Sequence, residues 1–299
     1  MILNTVNEEL KPKVSVIVNN FNKVKYIEEC LNSIKAQTYG CKNLQLVIWD
    51  DNSTDDSYKL IQQWMLENSD FENVSLYRTG DIFDDYHSKI LPLGVTRWLA
   101  LKKCVGKYVA ICDSDDVWVD SKLEKQMPLF SDDVGIVYSD CLSFKDSPKE
   151  GDDWEWLFHT FHDQYPIFEK DVFFNLLTKH NFMPASTLVF NRLFLKSSIG
   201  APSHYTSGED YDWCLKVCEH FKAVCCHDSL TYYRIVDDSL THNSRKSTRA
   251  TWFEIDCALS VYNEFKYKFN RIQKLKFYQH LCLLYCKLIW KQFVRERIF

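Results

Sequence analysis

The sequence contains no run of about 20 consecutive apolar residues, which is the length a helix needs to cross a bilayer. It also lacks an apolar signal segment, because the first residues, MILNTVNEELKPK, are polar and acidic. We therefore expect a cytoplasmic protein without a membrane span. An excess of positive charge is missing as well: the formal net charge is -5 at pH 7, which argues against a protein that coats nucleic acid.

Internal repeats and a usual zinc-binding spacing are also missing. The twelve cysteines would suggest disulfides in a secreted chain, but without a signal segment we expect reduced thiols. Cys214 and Cys218 lie four positions apart with Val217 and Phe221 in a stretch of helical periodicity. We interpret these two cysteines as core residues of an amphipathic helix and not as metal ligands.

Short apolar runs alternate with amphipathic helical stretches over the first half of the chain. The predicted strands are VSVIV from Val14, LQLVIW from Leu44, VSLYR from Val74 and KYVAIC from Lys107. This alternation predicts an α/β fold with a mostly parallel sheet, whose strands end on a ligand crevice. With 299 residues, 46% of them hydrophobic, the chain fits one large domain or a domain with an appendage.

Polar clusters follow three of these strands. They are the segments 19–22 (NNFN), 50–53 (DDNS) and 113–116 (DSDD). Because the carboxyl ends of parallel strands meet at one edge of a sheet, we expect the three segments to converge on one rim.

The segment DSDD raises an electrostatic question. Asp113, Asp115 and Asp116 repel one another and directly follow a buried strand, so a positive group is expected beside them. A hard divalent cation such as Mg²⁺ or Mn²⁺ suits such oxygen ligands and commonly bridges phosphates. The alternative is that Asp113 and Asp115 cap a helix beginning near Asp120.

The ordered motifs VSVIVNNFN, QTY, LVIWDDNSTDDS and GVTRWLALKKCVGKYVAICDSDD span roughly residues 13–140. In this order they resemble the family 2 inverting glycosyltransferases of the GT-A fold. The resemblance implies a Rossmann-like mixed, mostly parallel sheet flanked by helices. We expect this domain at 12–247, with a nucleotide-sugar half at 12–140 and an acceptor half at 141–247, followed by a basic helical region at 248–299.

The resemblance also assigns expected roles. Asp51 matches the position that hydrogen-bonds the base, and Arg97 matches a basic residue near the nucleotide; the alternatives are a helix cap for Asp51 and a surface helix residue for Arg97. The expected donor-binding residues are Asn19, Asn20, Asn22, Asp51, Arg97, Asp113, Ser114 and Asp115.

The expected metal ligands are Asp115, Asp116 and His242, with the choice between Asp115 and Asp116 left open. His242 enters because Val236 occupies a position where the family often has a histidine. A solvated loop histidine is the alternative for His242.

Inversion by direct displacement needs a base on the acceptor side. Glu209 and Asp210 of SGEDYDWCLKV match the family's acidic signature at a helix start, and Asp210 is the expected base with Glu209 next; helix-capping acids are the alternative. A helix N-terminus is expected to lower the pKa of Asp210. The upstream segment MPAST resembles the lining of the family's acceptor pocket.

The end of the chain, from Glu264 onwards, interleaves lysine and arginine with aromatic and aliphatic residues at helical spacing. Such a helix can bind an anionic membrane surface. The alternative is that its apolar residues dock on the catalytic domain or on a second subunit.

The sequence thus predicts a metal-dependent inverting glycosyltransferase that moves a sugar from a UDP-type donor to a hydroxyl of a glycan acceptor. By analogy with the family, the acceptor is lipid-linked and serves bacterial surface polysaccharide assembly, on the inner face of the membrane. Two rivals remain. One is a non-catalytic glycan- or nucleotide-binding protein of the same fold, and the other is a haloacid dehalogenase-like phosphatase with Asp113 as nucleophile and Asp115 as acid/base.

Overall fold

The computed structural model describes residues 13–83, 89–145, 159–160, 167–200, 208–236 and 248–296. The strands are, in chain order, β1 (Val14–Asn20), β2 (Leu44–Asp50), β3 (Val74–Arg78), β4 (Tyr108–Asp113), β5 (Val117–Trp118), β6 (Val134–Lys145), β7 (His159–Thr160), β8 (Val189–Asn191) and β9 (Lys222–Ile235). The α-helices are α1 (Ile27–Lys35), α2 (Ser57–Glu67), α3 (Thr79–Ile82), α4 (Leu93–Lys103), α5 (Lys122–Gln126), α6 (Val172–Thr178), α7 (Arg192–Ile199), α8 (Glu209–Cys218), α9 (Thr248–Phe265) and α10 (Arg271–Glu296).

The strands form one mixed sheet in the order β3-β2-β1-β4-β8-β6-β9-β5, with β7 paired to β6. The four strands from β3 to β4 are mutually parallel, as the strand and helix alternation predicts. Beyond β4 the short strand β8 runs antiparallel to both of its neighbours. The predicted mixed α/β sheet is confirmed, and its parallel order is concentrated in the first half of the chain.

Helices cover both faces of the sheet. Val16 and Val18 of β1 are fully buried toward α1 and α2, while Ile17 of the same strand belongs to a second core layer formed with α4 and α8. Each fully buried side chain of this kind contributes about 1.5–3 kcal/mol. Burial on both faces explains why the strands read as continuous apolar runs.

A glycine sets the start of α8. Gly208 adopts a left-handed backbone with φ of 84°, which a side chain would disfavour, and α8 begins at the next residue, Glu209. Trp213 and Cys214 anchor the helix in the core, so the interpretation of Cys214 as a core residue is confirmed. The motif GED is therefore a turn that fixes two acids at the first helical positions.

The C-terminal helices pack against the rest of the fold. Ala258 and Val261 of α9 join the same core layer as α8, and Phe277 of α10 stacks on Tyr262 with ring centroids 3.9 Å apart. Residue Leu288 of α10 is buried as well. Among the helices that the structure describes, none is both long and apolar enough to span a bilayer.

Candidate active site

The polar segments after β1, β2 and β4 meet at one edge of the sheet. Asn20 at the end of β1 donates from Nδ2 to Asp50 Oδ2 of β2 at 2.7 Å, and Asn19 pairs with Asp113 in the parallel register of β1 and β4. The predicted convergence of the three segments is confirmed. Asn19 also donates to Thr96 Oγ1 of α4 at 3.0 Å, so α4 lies next to the three segments at this edge of the sheet.

Asn20 and Asn22, which were expected to bind the nucleotide-sugar donor, instead connect the loops after β1 and β2. Asn20 is buried, and its amide reaches Asp50 and also Ser53 Oγ at 3.1 Å. Asn22 has a left-handed backbone with φ of 53°, and its Oδ1 accepts from Thr54 N at 2.7 Å. In this arrangement Asn20 offers a ligand no surface, because its side chain holds the β1 and β2 loops together.

Asp51 lies just below the surface at the end of β2. Its Oδ1 accepts from Thr79 Oγ1 at 2.6 Å and its Oδ2 accepts from Leu91 N at 2.9 Å. Burial raises the pKa of Asp51 to about 6, and these two hydrogen bonds oppose the rise. Asp51 does not cap α2, since that helix begins at Ser57 and its cap residue makes no side-chain cap hydrogen bond.

The buried side chain of Arg97 contacts both the end of β4 and the start of α8. Its side chain is only 1% exposed, and its guanidinium donates to Asp113 Oδ1 at 2.6 Å, to Glu209 Oε1 and to Asn19 Oδ1. Arg97 is therefore neither a surface helix residue nor open to a nucleotide. It reaches the rim through Asp113, whose side chain is 32% exposed.

Glu209 is as deeply buried as Arg97, and its Oε2 has no hydrogen-bond partner among the described residues. Burial raises the pKa of Glu209, while the charge of Arg97 opposes that rise. An acid with no exposed surface is poorly placed to take a proton from an acceptor, so its position is that of a partner for Arg97.

Asp210, the expected base, is half-buried at the first turn of α8. Burial raises the pKa of Asp210, the Arg97 charge opposes the rise, and the Asp113 carboxylate adds to it. Backbone hydrogen bonds at the helix terminus lower this pKa, as expected, but burial outweighs them and the net pKa is raised. A raised pKa makes the carboxylate a stronger base.

The remaining acids of DSDD divide by exposure. Asp115 is partly exposed and pairs with Lys23 Nζ at 2.6 Å. Asp116 is buried and accepts from Ser186 Oγ at 2.5 Å and from the backbone N of Arg234 at 2.9 Å. Both oxygens of Asp116 are therefore used inside the protein, and the outward-facing carboxylates are Asp113 and Asp115.

The other expected site residues fall in different places. Ser114 is buried between the two outward acids. His242 lies outside the described residues, so its expected role stays a prediction. Lys23 was not among the expected site residues, and neither Ser186 nor Arg234 was expected to contact the acidic turn, which both of them brace.

The outward acids suit a divalent cation. Mg²⁺ and Mn²⁺ take oxygen ligands and are commonly held by one or two carboxylates together with substrate phosphates. Asp113 and Asp115 offer such oxygens at the end of β4. No group of three or more His, Cys, Asp or Glu side chains within the described ranges is arranged to hold a metal ion, so the chain's share of the coordination would be small.

Comparison with known proteins bears on this geometry. The family model described as Glycosyl transferase family 2 matches residues 15–197. The chain is 27% identical to TuaG of Bacillus subtilis, named for teichuronic acid biosynthesis, over 81% of this chain and 87% of that protein. It is also 27% identical to Escherichia coli WfaP, over 78% of this chain and 81% of WfaP. WfaP is named as a UDP-Glc:alpha-D-GlcNAc-diphosphoundecaprenol beta-1,3-glucosyltransferase.

Some other curated relatives are longer, since the chain covers 65% of one and 18% of two more. Among solved structures, S. aureus TarS 1–349 with UDP-GlcNAc aligns with a TM-score of 0.60 and 16% identity, covering 92% of this chain and 81% of that one. The mannosyltransferase PcManGT of Pyrobaculum calidifontis, with GDP-Man and Mn²⁺, aligns with a TM-score of 0.60 and 15% identity, covering 94% and 84%. At these identities the structures show a shared fold.

Proposed function

The chain belongs to glycosyltransferase family 2, and from that premise we propose that it moves a sugar from a UDP-type donor to a hydroxyl group of a lipid-linked glycan. The donor class is supported by TarS, which binds UDP-GlcNAc, and by WfaP, which is named for UDP-Glc. The lipid-linked acceptor is supported by the diphosphoundecaprenol in the name of WfaP, and a role in glycan assembly is supported by the teichuronic acid biosynthesis in the name of TuaG. Membership of a transferase family also disfavours the phosphatase and the non-catalytic interpretations.

One observation carries the proposal. The Arg97 guanidinium contacts Asp113, at the end of the donor-side strand β4, and Glu209, at the start of the acceptor-side helix α8. Asp210 follows Glu209, and its pKa is lowered by the charge of Arg97 and raised by that of Asp113. A displacement at the anomeric carbon requires a donor-binding acid and a base held near each other, and Arg97 connects the segments that carry Asp113 and Asp210.

On the donor side, we propose that Asp51 accepts a hydrogen bond from the base and that Asn19 lines the nucleoside site. Asp51 keeps a negative charge above pH 6 and sits at the carboxyl end of β2, where ligands of doubly wound sheets bind. Asn19 is partly exposed on β1.

At the diphosphate, we propose that Asp113 and Asp115 hold a divalent cation, Mn²⁺ or Mg²⁺. The bound cation would neutralise the charge that develops on the leaving diphosphate. Asp116 supports this pair from below through Ser186 and Arg234. Of the two expected main ligands, Asp115 is favoured because its side chain is 16% exposed, whereas Asp116 is only 1% exposed.

For the transfer itself, the acceptor hydroxyl oxygen forms a bond to the anomeric carbon while the bond from that carbon to the diphosphate oxygen breaks. The electron pair of the broken bond leaves with the nucleotide diphosphate. We propose that the Asp210 carboxylate takes the hydroxyl proton as the new bond forms. Attack opposite the leaving group inverts the anomeric configuration.

We propose that the C-terminal helix α10 contacts an anionic membrane surface. Its inner face packs on α9 through Leu284 and Leu288, whereas its outer face exposes Leu275, Leu283 and Trp290. Within Arg271–Glu296 the basic residues outnumber the single acid Glu296. A second copy would bring like charges together, whereas anionic lipid complements them.

A donor panel tests the function. The protein is incubated with UDP-Glc, UDP-GlcNAc, GDP-Man and other nucleotide sugars, with GlcNAc-diphosphoundecaprenol and related lipid acceptors, and nucleotide release is measured with Mn²⁺ or with EDTA. We expect release from a UDP-sugar that depends on both metal and acceptor. Metal-independent release, or no release from any UDP-sugar, would contradict the proposal.

A further inference from the structure

The contact between Lys23 and Asp115 differs from every other contact that the acidic turn makes. Lys23 lies in the loop between β1 and α1, and its Nζ is 2.6 Å from Asp115 Oδ2. Its side chain is 22% exposed and that of Asp115 is 16% exposed, so the pair lies at the crevice surface. The ammonium also lies over the ring of Tyr26, 5.9 Å from its centroid.

The partners of the neighbouring acids are fixed in place. Arg97 is buried and divides its guanidinium between Asp113 and Glu209, so it cannot leave one acid without uncovering the other. Ser186, the partner of Asp116, is buried as well. For Glu209 and Asp116 such a bond is costly to break, because the buried acid left behind has no water to replace its partner.

Lys23 has the opposite character. A lysine carries a compact charge on a flexible stem of four carbons, and its pairing with a carboxylate that reaches the surface stabilises a protein less than a fully buried pair does. Tyr26, the second group it contacts, is an aromatic ring that attracts a cation without fixing it at one position. The ammonium can therefore leave Asp115 at a lower cost than Arg97 can leave Glu209.

We propose that Lys23 is a mobile cation that competes with the divalent metal for Asp115 and passes to the donor diphosphate when the metal binds. This rests on the proposed function, since it takes the metal and the diphosphate from there. A carboxylate oxygen that receives an ammonium at 2.6 Å cannot coordinate a divalent cation on the same side without bringing two positive charges together. The donor diphosphate is the anion that the displaced Lys23 would meet, and lysine is a common phosphate ligand.

Such an exchange couples the two ligands. Metal alone must displace Lys23 and leave it without an anion, whereas metal together with diphosphate gives the ammonium a new partner. Coupling of this kind is reciprocal, so the nucleotide also binds more tightly when the metal is present. Removing the charge of Lys23 should therefore have opposite effects on the two ligands, which a purely structural residue would not produce.

The test compares Lys23→Gln with the wild-type protein by two binding measurements that need no catalysis. Free Mn²⁺ is titrated by electron paramagnetic resonance in the absence of nucleotide, and UDP is titrated calorimetrically at saturating Mn²⁺. We expect Lys23→Gln to bind Mn²⁺ alone roughly threefold more tightly and UDP roughly threefold or more weakly, as the loss of a partly exposed charge contact implies. Lys23→Arg, which keeps the charge, should resemble the wild type.

The control is Lys25→Gln, which removes the same charge from an exposed position in the same loop. Equal shifts in Lys23→Gln and Lys25→Gln, or a loss of affinity for both ligands in Lys23→Gln, would overturn the exchange. Tight Mn²⁺ binding that is identical in wild type and Lys23→Gln would overturn it while leaving the proposed metal site intact. If neither the wild type nor Lys23→Gln binds Mn²⁺, even with UDP, both the exchange and the proposed metal site are overturned.

Discussion

The buried ion pair between Arg97 and Glu209 gives a prediction whose size depends on pH. Both side chains are 1% exposed, so Arg97→Met leaves a carboxylate in the interior without its cation. Loss of one partner of such a pair typically destabilises a protein by about 3–5 kcal/mol. Asp113 loses the same cation but keeps contact with solvent, so its contribution should be smaller.

The acid left behind can escape this cost by binding a proton. Burial already raises the pKa of Glu209, and loss of the Arg97 charge raises it further. A carboxyl whose pKa is higher in the folded than in the unfolded state favours folding at low pH, and this stability is lost as pH rises through the folded pKa. The folded-state pKa of Glu209 is higher in Arg97→Met than in the wild type. Between these two pKa values, the unfolding free energy of Arg97→Met should fall by about 1.4 kcal/mol per pH unit relative to that of the wild type.

The assay is urea unfolding followed by tryptophan fluorescence at pH 6 and pH 8.5. Because burial raises the pKa of Glu209 in the wild type to about 7, we expect Arg97→Met to be destabilised more at pH 8.5, by about 1.4–2 kcal/mol relative to its deficit at pH 6. The double variant Arg97→Met with Glu209→Gln removes the buried uncompensated charge and should have a smaller pH dependence, of which the part due to Asp210 remains. A deficit equal at both pH values, or unchanged by Glu209→Gln, would refute the reasoning.

Two further predictions concern ligands. Because burial raises the pKa of Asp51 to about 6, this carboxyl loses its charge below that pH. In calorimetric titration, the affinity for UDP should therefore fall about tenfold between pH 7 and pH 5. Asp51→Asn should bind UDP weakly at both pH values. In vesicle sedimentation, Leu283→Gln with Trp290→Gln should reduce binding to anionic vesicles several-fold, because both side chains are exposed on α10. The matched change Leu66→Gln, on the exposed face of α2, should leave vesicle binding unchanged, and an equal loss in both would contradict a membrane-binding α10.

The first four strands, the convergent loops and the acidic helix start could be predicted from the sequence, whereas β5 to β9 were not predicted. Apolar runs of strand length and helical spacing are local signals, and α2 lies between the predicted strands LQLVIW and VSLYR, where the alternation predicts a helix. The position of polar residues directly after strands was enough to predict one rim, since parallel strands end together.

What the sequence did not reveal depends on contacts between distant segments. Lys23 meets Asp115, and Arg234 meets Asp116, across more than ninety residues in each case. Neither pairing follows from local periodicity. The raised pKa of Asp210 was missed for the same reason, because it arises from burial by the whole fold and not from the helix terminus.

The exposure of the four DSDD residues could not be predicted from strand periodicity. Asp113 and Asp115 face outward, whereas Ser114 and Asp116 are buried. The backbone here forms a turn beyond the end of β4, in which Asp116 N donates to the Asp113 carbonyl oxygen at 2.9 Å. Which acid of this turn reaches the surface is set by contacts with distant segments, such as that of Asp116 with Ser186.

The most direct test of the proposed chemistry is the transfer rate of Asp210→Asn measured beside its affinity for UDP. The change is nearly isosteric and removes the proton acceptor. With Asp228→Asn, an exposed acid distant in sequence, as the control, Asp210→Asn should slow transfer to the lipid-linked acceptor by roughly 100-fold or more and leave the UDP dissociation constant within about twofold. A transfer rate close to that of the wild type, or a loss of UDP affinity as large as the loss of rate, would show that Asp210 is not the base.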